Sequence, residues 1–255
     1  GIPGVLYSDG QATLYWEPQG DGDKSATKVS YAAPKSPSQL PIESQNQSIN
    51  SLLMDLTGNG QLELVVNTPA YTGYYQVNND RTWQNFQTFP SFPNDFANPD
   101  NYLVDVTGDG LADLVLIESN RVSVYPSLGK EGFDTAIICP QENKLPLLRN
   151  NAATEVVRFA DIFGTGTQHL VRITNSKVEC WPNLGYGRFG KPVELSNAPK
   201  FGEELDASRL FLADLDGSGT ADLIYVYPDR VEIFLNQSGN SRIFSRRSGS
   251  LPVTR

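Results

Sequence analysis

A nine-residue pattern occurs four times at near-constant spacing, and it constrains the fold more than any other feature of the chain. The copies read Asp55-Leu-Thr-Gly-Asn-Gly-Gln-Leu-Glu63, Asp105-Val-Thr-Gly-Asp-Gly-Leu-Ala-Asp113, Asp161-Ile-Phe-Gly-Thr-Gly-Thr-Gln-His169 and Asp214-Leu-Asp-Gly-Ser-Gly-Thr-Ala-Asp222. The first aspartates follow one another at intervals of 50, 56 and 53 residues. A period of this length marks stacked supersecondary units, and strand-rich units of this size read as propeller blades.

The flanks repeat as well. An apolar run precedes each first aspartate (Ser51–Met54, Asn101–Val104, Val157–Ala160, Leu210–Ala213), and another follows each ninth position (Leu64–Val66, Leu114–Ile117, Leu170–Ile173, Leu223–Tyr227). Two apolar runs joined by an Asp/Gly-rich loop read as a β-hairpin, with glycine at the fourth and sixth positions where the backbone needs positive φ. A polar break such as Ser119-Asn120, Asn175-Ser176 or Pro228-Asp229 leads to a third, alternating run: Arg121–Tyr125, Lys177–Trp181 and Arg230–Phe234. Alternation of that kind marks a half-exposed strand. A fourth strand reads less clearly, from Arg188-Phe189 to Glu194-Leu195. The expected unit has two apolar inner strands, buried on both faces, and two more polar outer ones.

The fold expected is therefore all-β, a β-propeller of four-stranded blades, five to six in number. The chain reads as one domain over 1–255, with units at about 1–48 (partial), 49–98, 99–152, 153–206 and 207–255. Gly4–Trp16 matches the second hairpin of the other units but lacks the Asp/Gly loop before it, so the N-terminal blade is incomplete. With a start at Gly-Ile-Pro-Gly and no Met, the sequence reads as a piece of a larger protein. The stretch after Asn236 is a candidate last strand.

Composition removes several function classes. The net charge is −9; nucleic-acid binding needs clustered Lys and Arg, and the one basic cluster, Arg242, Arg246, Arg247 and Arg255, reads as a solvated tail. No apolar run approaches the roughly 18 residues of a spanning helix, so no direct membrane insertion is expected. Cys139 and Cys180 sit on different units; free, half-buried thiols are the simpler reading, and sequence cannot fix a bridge.

The loops place oxygen-bearing side chains at positions one, three, five and nine, a spacing that can wrap Ca²⁺. The fourth loop offers Asp214, Asp216, Ser218 and Asp222, and the second offers Asp105, Thr107, Asp109 and Asp113. The first is poorer (Asp55, Thr57, Asn59, Glu63), and the third, with Phe163, Thr165 and His169 at ligand positions, fails. The competing reading needs no metal: an aspartate in a turn holds the loop by accepting backbone N–H groups. Calcium, where present, would brace loops and not catalyse.

No catalytic residues are expected. The chain has one histidine. Pairing Arg172 with Glu179 across the Asn175-Ser176 turn puts His169 and Cys180 diagonally on one sheet face, a poor nucleophile-and-base candidate. Carboxylate pairs recur in equivalent loops, as architecture does, whereas a glycosidase needs one unique pair. Tyr71, Tyr74, Tyr75, Trp83, Phe86, Phe89, Phe92 and Phe96 crowd one unit. They read as inter-blade packing or, with Trp83, Phe86, Phe89, Phe92 and Phe96 on the long Thr82–Asn101 stretch, as a partner-binding surface.

The pattern Phe/Leu-x-Asp-x-x-Gly-x-Gly-x-x-Asp-Leu resembles the FG-GAP or VCBS repeat of integrin-like propellers. Asp105-Val-Thr-Gly-Asp-Gly-Leu-Ala-Asp-Leu-Val115 and Trp181-Pro-Asn-Leu-Gly-Tyr-Gly-Arg-Phe189 resemble the propeller region of the B component of bacterial Tc insecticidal toxin complexes, related to Salmonella virulence plasmid B proteins. The resemblance runs over most of the chain, with His169 departing from the pattern. It implies a secreted, non-catalytic gate and adaptor. Such a domain closes the shell formed with the C component and docks on the pore-forming A component until the toxin is translocated. The competing class is a calcium-braced carbohydrate-binding or adhesion propeller, for which aromatic pockets should repeat at each blade junction; here the aromatics concentrate in one unit.

Overall fold

In the computed structural model each Asp/Gly loop is the connection of an antiparallel hairpin, as its flanking apolar runs require. The structure describes residues 5–8, 13–16, 18–19, 30–34, 50–237 (apart from 62, 69, 77, 79–81, 99, 119 and 148–152) and 244–250. Most of the first unit, Arg242 and Arg255 lie outside these residues.

Two short hairpins come first: β1 (Val5–Ser8) with β2 (Thr13–Trp16), and β3 (Pro18–Gln19) with β4 (Ser30–Tyr31). Val5 pairs with Trp16, so the segment read as a half copy is a hairpin. Four sheets follow, each of four antiparallel strands in chain order. The first holds β5 (Asn50–Met54), β6 (Glu63–Asn67), β7 (Thr72–Tyr75) and β8 (Gln87–Thr88). The second holds β9 (Asn101–Val104), β10 (Asp113–Ile117), β11 (Arg121–Tyr125) and β12 (Ile137–Pro140). In the third are β13 (Val156–Ala160), β14 (His169–Thr174), β15 (Lys177–Trp181) and β16 (Val193–Glu194). The fourth has β17 (Leu210–Ala213), β18 (Asp222–Val226), β19 (Arg230–Asn236) and β20 (Phe244–Ser250). The last strand comes from the stretch after Asn236.

Register repeats with the sequence. Leu53 pairs with Leu64, Leu103 with Leu114, Phe159 with Leu170 and Leu212 with Leu223, the same two repeat positions each time. Side-chain period two then fixes every other position on its face. The Arg172–Glu179 pairing expected from the Asn175-Ser176 turn is present, and Ser176 takes φ 68° to close that two-residue connection.

Burial peaks at the second strand of each sheet, not evenly over the first two. Leu64, Val65, Val66, Leu114, Val115, Leu170, Val171 and Leu223 are buried, whereas Phe211 on β17 and Arg158 on β13 are exposed. The reason is topological: the first strand is a sheet edge, while the second has a neighbour on each side. The fourth strands β8, β12 and β16 are mostly exposed, but only β8 is polar throughout; β12 turns the apolar Ile137 and Ile138 to solvent.

The chain forms two compact units, one of residues 2–116 and 124–137, the other of residues 117–123 and 138–255. In the former, Met54, Leu56, Val65 and Tyr74 pack with Leu114, and Phe89, Phe96 and Phe133 complete the cluster. Phe92 stacks on Phe89 at 5.2 Å and lies 5.7 Å from Phe133. Here Ser91 bridges to Gly132, whose φ of 95° and closeness to the Ser91 carbonyl leave no room for a side chain. In the latter unit, Val171, Ile173, Val178 and Cys180 pack against Leu223, Tyr225 and Phe234 around Phe201 and Leu205. The Asn175 side chain pins the 201–203 segment, accepting the N–H of Phe201 at 2.8 Å and donating to the Glu203 carbonyl at 2.9 Å.

Candidate functional site

All eight glycines at the fourth and sixth loop positions take φ between 68° and 87°. That conformation turns successive N–H groups inward, toward the aspartate at position one. Asp55 accepts from Thr57, Asn59 and Gly60, and Asp105 from Gly108 and Gly110. Asp161 accepts from Phe163, Gly164, Thr165 and Gly166, and Asp214 from Ser218 and Gly219. A bond from a backbone N–H to a carboxylate is worth about 1.5–3 kcal/mol. The first aspartate is thus the organiser of its loop in all four copies.

The ninth position does different work. Glu63, Asp113, His169 and Asp222 are all at most 5% exposed. Asp113 accepts from Val106 and Thr107 with one oxygen and from Ser127, past the end of β11, with the other at 2.9 Å. Asp222 likewise accepts from Leu215 and, at 2.8 Å, from Asn236 at the end of β19. Glu63 accepts from the Leu56 N–H and from the Gln76 side chain. A buried acceptor at position nine therefore ties the loop to the exit of the third strand. Burial pushes the Asp113 and Asp222 carboxyls up, against the lowering pull of their N–H donors; Asp216 and Asp214 add to the rise at Asp222.

The third loop keeps this device with a different atom. His169 Nδ1 accepts the Asn183 N–H at 3.0 Å, and Nε2 lies 3.2 Å from Thr165 Oγ1. Phe163, at the third position, packs its ring 5.0 Å from the imidazole. Cys180 shares the His169 face of the sheet, as the register predicts, but it is fully buried and burial pushes its thiol up to about 12. Both ring nitrogens of His169 are thus engaged, and the thiol is held protonated.

Among the described residues, one group brings three metal-competent side chains together: Asp214, Asp216 and Asp222, with a carboxylate oxygen from each within 4.8 Å of the others. Asp105, Asp109 and Asp113 of the second loop do not converge to that degree. Ser218 stands in the fourth loop with its N–H on Asp214 and Asp216 and its hydroxyl 2.9 Å from Thr220 Oγ1. Both readings of these loops act on the same atoms, since the carboxylates that could hold a cation already accept backbone N–H groups.

Of the aromatic group, Phe89 and Phe96 are buried, Phe92 is half-buried, and all three are engaged in the core cluster with Phe133. Phe86 packs on Tyr71 and Tyr75, and Trp83 is half-buried. The larger exposed apolar side chains lie elsewhere, at Ile138 (60%), Leu184 (59%) and Tyr186 (56%). Tyr186 is held at φ 51° between two left-handed glycines, Gly185 and Gly187. Gln141 clasps this loop to the end of β12, donating to the carbonyls of Gly187 and Cys139 and accepting from the Phe189 N–H. An open cleft of about 400 Å³ is lined by Glu155, Asn175, Glu203 and Glu204.

What sequence reading missed is the partner of position nine. Ser127, Asn183 and Asn236 each lie 14 residues beyond it, a small polar residue at constant offset. That regularity was present in the sequence.

No protein-family model matches the chain, and no curated protein does. Solved structures do. The chain is 36% identical over 99% of its length to a chain of the Photorhabdus luminescens Tc holotoxin pore, with a TM-score of 0.77. It is 33% identical over the same share to a chain of the TcdB2–TccC3 complex lacking the hypervariable C-terminal region, with a TM-score of 0.49. It spans 11% and 12% of those chains, so the similarity is to one region of much longer proteins. An Agrocybe aegerita lectin that recognises non-reducing terminal N-acetylglucosamine is 19% identical, with 98% of this chain covering 62% of the lectin at a TM-score of 0.53; this likeness is one of fold alone.

Proposed function

We propose that the chain is the propeller region of a Tc toxin B component, its four sheets serving as blades, and that it acts as a non-catalytic gate and adaptor. In this reading it closes the shell that the B and C components form and docks on the pore-forming A component, which opens the way for the toxin. The observation that carries the proposal is the 36% identity and TM-score of 0.77 to the Tc holotoxin over 99% of this chain. The fold supports it physically. Repeated sheets held by neighbour contacts can part at one junction without unfolding the rest. Secretion follows from membership in such a complex; among the described residues no helix is long and apolar enough to cross a membrane.

Calcium, where it binds, sits in the fourth loop, with Asp214, Asp216 and Asp222 as ligands and Ser218 beside them, and its contribution is electrostatic bracing. The Thr82–Asn101 stretch offers a partner the edges of Trp83 and Phe86, since Phe89, Phe92 and Phe96 are committed to the core. The deciding experiment is binding of the immobilised protein to purified A component, with a glycan array in parallel. Saturable A-component binding and a blank array support the gate. Glycan binding without A-component binding replaces it with a lectin.

A further inference from the structure

In the third repeat a histidine does the work that carboxylates do in the second and fourth. Asp113 and Asp222 accept the N–H groups of Ser127 and Asn236 with charged oxygens, which need no proton removed at neutral pH. His169 accepts the equivalent Asn183 N–H through Nδ1 at 3.0 Å. An imidazole nitrogen accepts only when it carries no proton. The ring must therefore be the neutral Nε2–H tautomer, with Nε2–H donating to Thr165 Oγ1 at 3.2 Å.

The surroundings are mainly uncharged, and burial outweighs the one carboxylate that favours a cation. The charged group facing the ring is Asp161, whose Oδ1 is 4.0 Å from Nε2 and already takes N–H bonds from Phe163, Gly164 and Thr165. From the same loop come the Phe163 ring and the Thr165 hydroxyl; from β13 the opposite residue is Ala160, and from β15 the nearby titratable group is the protonated Cys180 thiol. On the fourth sheet, Asp222 turns its carboxylate onto Leu215 and Asn236 instead.

We infer that the third repeat carries an acid-sensitive latch. A proton on Nδ1 of His169 sets N–H against N–H at Asn183 and releases the 183–189 loop from the 161–169 loop, while the carboxylate latches of the second and fourth repeats stay closed. The loop set free is the one that presents Leu184 and Tyr186 to solvent. The latch needs no toxin partner and stands or falls apart from the gate reading, since it joins two loops of one repeat. Burial holds the His169 ring below its ordinary range, opposed by Asp161. A histidine with that shift binds fewer protons folded than unfolded. Its contribution is complete above about pH 6.5 and declines as pH falls toward the folded-state value.

The test uses the fact that the chain has one histidine, whose ring NMR signals are unambiguous. The expected result is an Nε2–H tautomer at pH 7.5 and a titration midpoint below 6.5. Amide protection at 183–189, corrected for intrinsic exchange, should fall by up to about tenfold per pH unit through that titration. Protection at Ser127 and Asn236 should hold over the same range. His169→Asn, whose side-chain oxygen accepts without titrating, and His169→Asp should lose the response. An Nδ1–H tautomer, a midpoint at or above 6.5, or an undiminished response in the variants overturns the latch. Should neither variant fold, the tautomer and midpoint of the unaltered protein decide alone.

Discussion

The side chain of Asn236 donates a hydrogen bond to the carbonyl of Ile162 at 2.8 Å, joining residues 74 positions apart. It donates to the Ala221 carbonyl as well, while its own N–H sits on Asp222. Ala221 in turn donates its N–H to the Asp161 carbonyl at 2.7 Å. The end of β19 is thus fastened to its own loop and to the loop of the preceding repeat. Asn236→Ala strips the buried carbonyls of Ile162 and Ala221 of this donor. A loss of about 1–3 kcal/mol is expected in urea denaturation; an unchanged midpoint would show that water takes over both acceptors.

Gly132 carries a sterner constraint. A Cβ there would stand 1.8 Å from the Ser91 carbonyl oxygen, and the backbone is held at φ 95°. The bridge between Ser91 and Gly132 carries the Phe89–Phe96 segment onto Phe133. Gly132→Ala must therefore push two backbones apart and strain its own, at about 3 kcal/mol or more. Thermal unfolding with near-ultraviolet circular dichroism, which reports the phenylalanine and tyrosine cluster, measures it.

Much of this was legible in the sequence because the repeat supplies its own controls. Four copies of one loop marked the hairpins and the buried runs that hold Leu64, Leu114, Leu170 and Leu223. Period-two alternation then placed Arg172 opposite Glu179 and Cys180 on the His169 face. Less visible was the work of position nine: Asp113 and Asp222 look like calcium ligands in a linear string, yet their oxygens reach residues 14 positions on, a tertiary relation that only the returning third strand creates. The fate of Phe89, Phe92 and Phe96 was undetermined for a similar reason. Their burial depends on Phe133 being brought back by the Ser91–Gly132 bridge, which no local pattern announces. Tyr186 resisted reading because a non-glycine residue at positive φ is set by its neighbours' turns.

Calcium separates the two readings of the fourth loop. Asp214 and Asp222 are backbone-bonded brackets, whereas Asp216 accepts only the Ser218 N–H and is exposed. If the loop holds Ca²⁺, calcium at 100-fold over its dissociation constant stabilises by about 2.7 kcal/mol, a rise of roughly 5–10 °C in melting temperature. The expected outcome is that EDTA removes this rise in the unaltered protein and has no effect on Asp216→Ala. Asp214→Ala should lower the melting temperature with or without calcium. Identical melting of the unaltered protein in calcium and in EDTA leaves the carboxylates as turn-holders alone.

Tyr186 gives a surface prediction. Its ring is more than half exposed and its φ is 51°, a conformation that costs a non-glycine residue about 1–2 kcal/mol. Glycine relieves that cost but adds flexibility to the unfolded chain, worth about 0.5–1 kcal/mol in the other direction. Tyr186→Gly should then be neutral or slightly stabilising in a urea titration, and Tyr186→Val, with a branched Cβ in the same conformation, destabilising by about 1 kcal/mol or more. A large loss in Tyr186→Gly would mean that the ring packs on something in solution.

Acid behaviour divides by site. Glu179 is bound by Arg172 at Nε (2.8 Å) and by Lys177 (2.8 Å). Burial raises its carboxyl, but the hydrogen bonds and charges of Lys177 and Arg172 outweigh this and hold it below its ordinary value of 4.5. A depressed carboxyl binds fewer protons folded than unfolded, so its contribution is present above about pH 4.5 and disappears as pH falls through the folded-state value. Asp113 and Asp222 run the other way: raised by burial, they take protons more readily folded than unfolded, and their contribution improves as pH drops through their raised range toward 3.8. The stability gap between the unaltered protein and Glu179→Gln should therefore hold from pH 7 down to about 4.5 and narrow below it. Against Asp222→Asn, the unaltered protein should instead gain stability as pH falls through a higher range, because a carboxyl raised by burial takes up its proton more readily folded than unfolded. Parallel pH profiles for the two variants would show that neither carboxyl titrates as its surroundings dictate.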